Sequence, residues 1–304
     1  DDNINTSETD PLEDLILQPG VSLGFKWQMT EFNELDLNIG AEYWYYLDNT
    51  ELNSAENQLA ITPNTELSFR VLIGDVVLRV YDRLRYTFDA TDSVEVDPDT
   101  GDVVDQDPES FTRFNNVAGA QSEWFIGENI FSAQLSRTDV WSPDDEFSFV
   151  DRVEHKAALN VERDFAANFR AGVGTSFTTF DFDEEVNNDG DVLSIGPYFD
   201  WKITEVVGLF AGIAWNDHDF DEGALTDTAP AGDESETSDL SWTVRLSHRV
   251  NPVFNHQLEY YRSIDVSDTA NFNELDGLRY TFSHTLNSRV RLDGALGYET
   301  NESS

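Results

Sequence analysis

The chain has 304 residues with 60 Asp and Glu against 18 Lys and Arg, and its net charge of −42 repels phosphate backbones, which excludes nucleic acid as a partner. The absence of cysteine excludes disulfide scaffolds, thiolate metal sites and cysteine nucleophiles. Aromatic residues make up 12%, too many for a disordered acidic chain, and no apolar run approaches the roughly 18 residues that a membrane-spanning helix needs.

Alternation with period two runs from end to end. Between Leu15 and Trp27 the odd positions carry Leu15, Leu17, Val21, Leu23, Phe25 and Trp27, and the even ones Gln18, Ser22, Gly24 and Lys26. The pattern resumes at Leu35, Leu37, Ile39, Ala41, Tyr43, Tyr45 and Leu47, then at Leu59, Ile61, Leu67, Phe69, Val71 and Ile73. The pair Gly74-Asp75 makes a tight hairpin turn into Leu78, Val80, Leu84, Tyr86 and Phe88. Further alternating segments lie near 111–126, 130–141, 147–162, 168–181, 191–203, 207–219, 239–250, 254–266, 274–286 and 289–299. That makes about fourteen strands of some 12–16 residues, against a usual length of roughly 5–6. No segment has helical period. So many long strands in simple succession predict an all-β chain, an antiparallel up-and-down β-barrel too wide to fill its interior with side chains. Its apolar face then points into lipid. The expectation is one transmembrane barrel domain over 1–304, in a bacterial cell outer membrane.

The connections alternate in length. Short ones fall near 29–33, 74–75, 128–129, 163–166, 204–206, 251–253 and 287–288; mostly longer, acidic ones near 48–57, 89–110, 142–146, 182–190, 220–238 and 267–273. Short periplasmic turns and long extracellular loops are the two ends of such barrels. Because the first connection is short, Asp1 and Ser304 both fall on the long-loop side. Barrels of this kind begin and end in the periplasm, so one strand is expected before Asp1 and another after Ser304, sixteen in the complete protein (about two more than counted).

The stretch Asp1-Asp2-Asn3-Ile4-Asn5-Thr6, followed by Leu15–Phe25 and the Tyr43–Leu47 aromatic run, resembles the outer-membrane β-barrel porins of the "porin 2" type. That resemblance implies a barrel in a diderm bacterial envelope and brings no catalytic residues.

Charge is unevenly placed. Segments 1–14, 89–110, 181–191 and 217–239 hold half of the 60 acidic residues and no Lys or Arg. They read first as a solvated, repulsive outer surface. Within them, Asp97, Asp99 and Asp102 beside Gly101, and Asp183, Asp189 and Asp191 beside Gly190, set oxygen ligands at the short spacing calcium uses, so Ca2+ is a candidate ligand there. No other cofactor is expected. Basic residues instead take the polar face of the strands. Arg70, Arg79, Arg83, Arg85, Lys156 and Arg245 share it with Glu42, Glu66, Glu154 and Glu259, and these are the expected pore-lining groups. Charges of both signs on a channel wall hydrate it and tune ion selectivity; the same residues can also brace the wall as cross-strand ion pairs.

Some polar residues interrupt the lipid-facing rows: Asp82, Asn116, Ser122, Arg137, Asp139, Asp151 and His155, with small Ala118 and Ala120 among them. Either this region contacts a second protomer, as in a homotrimer, or a one-residue bulge inverts the register. His248, His256 and His284 lie close to short turns, suited to an interfacial aromatic role and less so to metal capture. His218 sits between Asp217 and Asp219, but acidic loops produce such neighbours easily, and no enzymatic activity is expected. The functional expectation is a porin-like outer-membrane channel for passive diffusion of small hydrophilic solutes or ions, weakly to moderately cation-selective because of its acidic loops. The alternatives are a structural or interaction barrel and an acidic-polysaccharide export channel.

Overall fold

The computed structural model describes residues 16–48, 50, 53, 58–62, 64–96, 103–143, 145–183, 189–220, 236–266, 272–287 and 290–303. The strands are β1 (Ile16–Leu17), β2 (Gly20–Gln28), β3 (Asn33–Tyr43), β4 (Tyr45–Tyr46), β5 (Leu59–Ile61), β6 (Glu66–Ile73), β7 (Val76–Val96), β8 (Val103–Ile126), β9 (Asn129–Trp141), β10 (Arg152–Ala166), β11 (Phe169–Phe182), β12 (Gly190–Lys202), β13 (Val207–Phe220), β14 (Glu236–Asn251), β15 (Phe254–Val266), β16 (Phe272–Asn287) and β17 (Val290–Ser303). β1 pairs with β4, and the others form a 15-stranded sheet whose order follows the chain, with β5 and β6 both pairing β3. Among the described residues no helix is long and apolar enough to cross a membrane.

The chain divides into two compact units: 1–73, 78–120 and 136–153 form the first, and 74–77, 121–135 and 154–304 the second. In the first, β2 and β3 pair so that Val21, Leu23, Phe25 and Trp27 stand opposite Ala41, Ile39, Leu37 and Leu35. In the second, one apolar row crosses six strands: Trp201 pairs with Leu209, then Leu246, Leu258, Tyr280 and Leu296 in turn. Such rows are the unit of sheet stabilisation.

These rows are exposed. Leu23, Leu296, Val21 and Phe165 are 72%, 71%, 66% and 64% exposed. Leaving one such side chain in water costs about 1.5–3 kcal/mol, and soluble monomers keep their largest exposed apolar patch to about 300–600 Å². A face made of such residues on every strand is stable against lipid, not water. The small apolar cluster around buried Tyr46, packed by Ile16 and Trp44, is fastened by Asn53, whose side chain bonds the Tyr46 backbone N–H and C=O at 2.9 and 2.6 Å.

Several boundaries differ from the sequence expectation. The third strand is broken into β5 and β6 by residues 62–65. There the Thr65 hydroxyl takes the Gly40 N–H at 2.9 Å in place of a ladder bond. The segment 89–110, expected as a loop, continues the β7–β8 hairpin up to Val96 and from Val103. The expected turn at 128–129 is Gly127-Glu128, because the backbone needs positive φ and Gly127 supplies it (62°), as Gly74 does at the preceding turn (59°). Residues 145–150 form a 3-10 helix and not the start of a strand. Asp151 therefore leaves the expected lipid-facing set, and its carboxylate accepts the Ser142 N–H at 2.6 Å.

Candidate functional site: a charged polar face

On the opposite face of β11–β17 the register builds a second row. Arg170 pairs with Asp200, and the row continues through Phe210, Arg245, Glu259, Arg279 and Gly297. Period-two alternation places each of these one residue from the apolar row, so the two rows necessarily occupy opposite faces. Arg245 meets Glu259 at 2.7 Å and lies over the Phe210 ring at 5.3 Å, while Arg279 lies over Tyr261 at 5.6 Å. The charges alternate in sign across the sheet, and guanidinium groups held flat on rings keep fixed positions.

One strand earlier, Arg170 bridges Glu162 at 3.2 Å and Asp164 at 2.7 Å. The Tyr198 hydroxyl donates to Glu162 at 2.7 Å. Beside this network the wall is lowered by small residues, Gly174, Ser176, Ser194, Gly196, Gly212 and Ala214. They floor a hollow of about 380 Å³ bordered by Lys156, Asn160, Tyr198, Phe210 and Thr243. Gly196 is required there. A Cβ on it would stand 1.9 Å from the Ile213 carbonyl oxygen, because the β12–β13 ladder skips from the Ile195–Trp215 pair to Tyr198–Gly212 around Pro197, which has no N–H.

The first unit carries a separate cluster. Glu66 accepts from both Arg79 and Arg83, the latter at 2.6 Å. Both guanidinium groups lie against the ring of Tyr81, at 5.2 and 4.5 Å, and that ring is 3% exposed. Arg85 is exposed and forms no ion pair among the described residues. Arg70 stands opposite Glu34, which pairs with Lys26 at 2.8 Å, and Glu42 accepts the Trp44 indole N–H at 3.0 Å. Of the expected pore-lining residues, the fold thus brings Glu66, Arg79 and Arg83 together, and Arg245 with Glu259. Glu154 and Lys156 share the polar face of β10. Sequence reasoning passed over Glu162 and Tyr198, although alternation already placed them on the polar face, and it put Asp164 in a turn at 163–166 where β10 continues to Ala166.

Two pairs of polar groups on the apolar face are satisfied within the chain. Asn116 donates to Asp82 at 3.0 Å, and Arg137 is bidentate on Asp139, its Nε at 3.0 Å from Oδ1 and 3.1 Å from Oδ2. On the same face Phe114 stacks on Trp141 with centroids 5.0 Å apart, and Tyr86 is tilted against Phe114 at 4.4 Å. Ser122 and His155 lie on β8 and β10 in the second unit, half-buried and exposed respectively. A further group, unforeseen from the sequence, surrounds Arg262. It lies over Trp242 at 5.3 Å, meets Asp239 and Glu274 at 2.5 Å each, and stands 3.9 Å from Asp276.

Among the described residues the calcium expectation finds no cage. Asp97, Asp99 and Asp102 lie outside the described residues. Asp189 spends one carboxylate oxygen on the Phe182 N–H at 2.7 Å, and Asp191 is a ladder residue opposite Asp219. Among the described residues no three His, Asp or Glu side chains gather as metal ligands. His218 is 3% exposed on the polar face, while the alternation turns Asp217 and Asp219 to the other face.

No protein-family model matches the chain, and no curated protein sequence is similar to it. Among solved structures it is similar to the ferric enterobactin receptor PfeA of Pseudomonas aeruginosa, at 14% identity and a TM-score of 0.50, covering 98% of this chain and 54% of the receptor. The toluene transporter TodX of Pseudomonas putida aligns at 10% identity and TM-score 0.46, covering 97% and 85%. OmpT, an outer membrane protein of Vibrio cholerae, aligns at 9% and 0.43, covering 94% and 96%. The chain spans about half the length of the first of these. The likeness to PfeA is one of fold: the chain has the antiparallel up-and-down architecture of outer-membrane β-barrels.

Proposed function

We propose that this chain forms an outer-membrane channel for passive diffusion of small hydrophilic solutes or ions, with the charged face lining its water-filled passage. The observation that carries the reading is the pair of rows on β11–β17. One is apolar from Trp201 to Leu296, and the other runs from Arg170 through Arg245, Glu259 and Arg279. A face of alternating charges has no place against lipid and hydrates a passage. Within that row Arg170, Arg245 and Arg279 outnumber Asp200 and Glu259 by one charge, whereas the chain as a whole carries −42. This row is therefore far less acidic than the chain as a whole, and weak cation preference is expected from acidic segments outside it.

The test is single-channel conductance in a planar bilayer with a KCl gradient. Discrete ohmic steps and a reversal potential of cation sign support the reading, and protein that inserts but conducts no ions overturns it. We further propose a homo-oligomer, a trimer, in contact through Asp82, Asn116, Arg137 and Asp139. Arg137 and Asp139 keep 55% and 33% side-chain exposure on a largely apolar face, and an Arg against lipid near the midplane costs about 2–4 kcal/mol.

A further inference from the structure

β14 and β15 are joined at Pro252-Val253, and their register sets His248 directly opposite His256. His248 Nδ1 stands 3.1 Å from His256 Nε2, with ring centroids 5.1 Å apart. Both rings are half-buried. Phe254 stacks on His256 at 5.7 Å, and Tyr280 lies 5.7 Å from the same ring. A third histidine, His284, rests against Phe254 at 5.6 Å.

Two imidazoles at this separation share one proton, donated by a ring N–H to the other ring's lone pair. A metal ion can take that proton's place. With metal–nitrogen bonds of about 2.0–2.1 Å, two ligands at the tetrahedral angle stand about 3.3 Å apart. The observed separation is about 0.2 Å shorter, within the tolerance of about ±0.2 Å that a metal site allows. The pair lies in phase with Leu246 and Leu258, at the end of the apolar face beside the exposed Pro252-Val253 turn, and the donor ring moves its proton to its own second nitrogen so that both facing nitrogens present lone pairs. A cross-strand register and flanking aromatic rings hold them in place, which lowers the ordering cost of binding.

We propose that His248 and His256 form a two-histidine clamp for a divalent first-row transition metal, with water completing the coordination. Imidazole suits copper, nickel and zinc, and Cu2+ binds tightest in this series. The inference rests on this pair alone and stands apart from the channel reading.

The experiment titrates Cu2+ into the untagged protein in detergent by calorimetry, with electron paramagnetic resonance of the loaded sample. Expected are one strong site per chain with two-nitrogen splitting, at least a fivefold loss of affinity in His248→Ala and in His256→Ala, and a change under twofold in His284→Ala. Where an alanine variant fails to fold, judged by lost heat-modifiability on gels, the asparagine replacement is measured instead. A loss under fivefold in either pair variant overturns the clamp. An equal loss in His284→Ala overturns the two-ligand assignment.

Discussion

Glu66 is the carboxylate whose removal most directly tests whether the charged face acts on ions. It is 18% exposed and holds Arg79 and Arg83, themselves 30% and 43% exposed. Replacing it by Gln keeps the side-chain size and one acceptor oxygen but removes a charge. The group of Arg79, Arg83, Arg85 and Glu66 goes from three plus against one minus to three plus alone. An ion about 7 Å from the lost charge changes in energy by about 0.6 kcal/mol in unscreened water. Screening leaves about 0.5 kcal/mol in roughly 0.01 M salt and about 0.25 kcal/mol at roughly 0.15 M. Cation occupancy falls and anion occupancy rises by the same factor. The permeability ratio therefore shifts toward anions about fivefold at low salt and about twofold at physiological salt. Reversal potentials in planar bilayers, taken at both salt levels, measure this. An unchanged ratio at low salt, or a larger shift at high salt than at low, would refute the reasoning, since either places Glu66 outside the ions' path. The substitution also weakens a charged hydrogen-bond acceptor, a cost of about 1–3 kcal/mol, so heat-modifiability on gels is the check that the variant still folds.

Replacing Arg79, Arg83 and Arg85 together by Ser acts in the opposite direction: cation preference rises and conductance increases, read in the same bilayer assay. Gly196→Ala destabilises by about 1–3 kcal/mol, since its Cβ would meet the Ile213 oxygen at 1.9 Å and the Ala214 Cα at 2.5 Å; a urea refolding midpoint detects it. Replacing Asp82, Asn116, Arg137 and Asp139 together by Leu converts a multimer into a monomer in detergent, measured by light scattering. An unchanged multimer mass moves the contact elsewhere.

Period-two alternation alone determined which residues share a face, because successive strand side chains must point to opposite sides whatever the surroundings. That is why the apolar rows, the placement of Arg70, Arg79, Arg245 and Glu259 on the polar face, and the two-residue turn at Gly74 were legible from residue order. Local chemistry misled at strand ends. Acidic composition made 89–110 look like a loop, yet β7 runs on to Val96 and β8 starts at Val103, since a strand's backbone can pair with its neighbour regardless of side-chain polarity. Arg262 falls in phase with Leu258 and Tyr260, so its break in the apolar row was visible in the sequence, but the carboxylates that satisfy it were not. Register was invisible too, for it depends on how many residues each connection consumes. Only the tertiary structure set Arg245 against Glu259, Glu66 between Arg79 and Arg83, and His248 against His256. Alternation is a property of one strand, whereas a partner is chosen by the neighbouring strand's offset, and a shift of one residue would have exchanged every such pair.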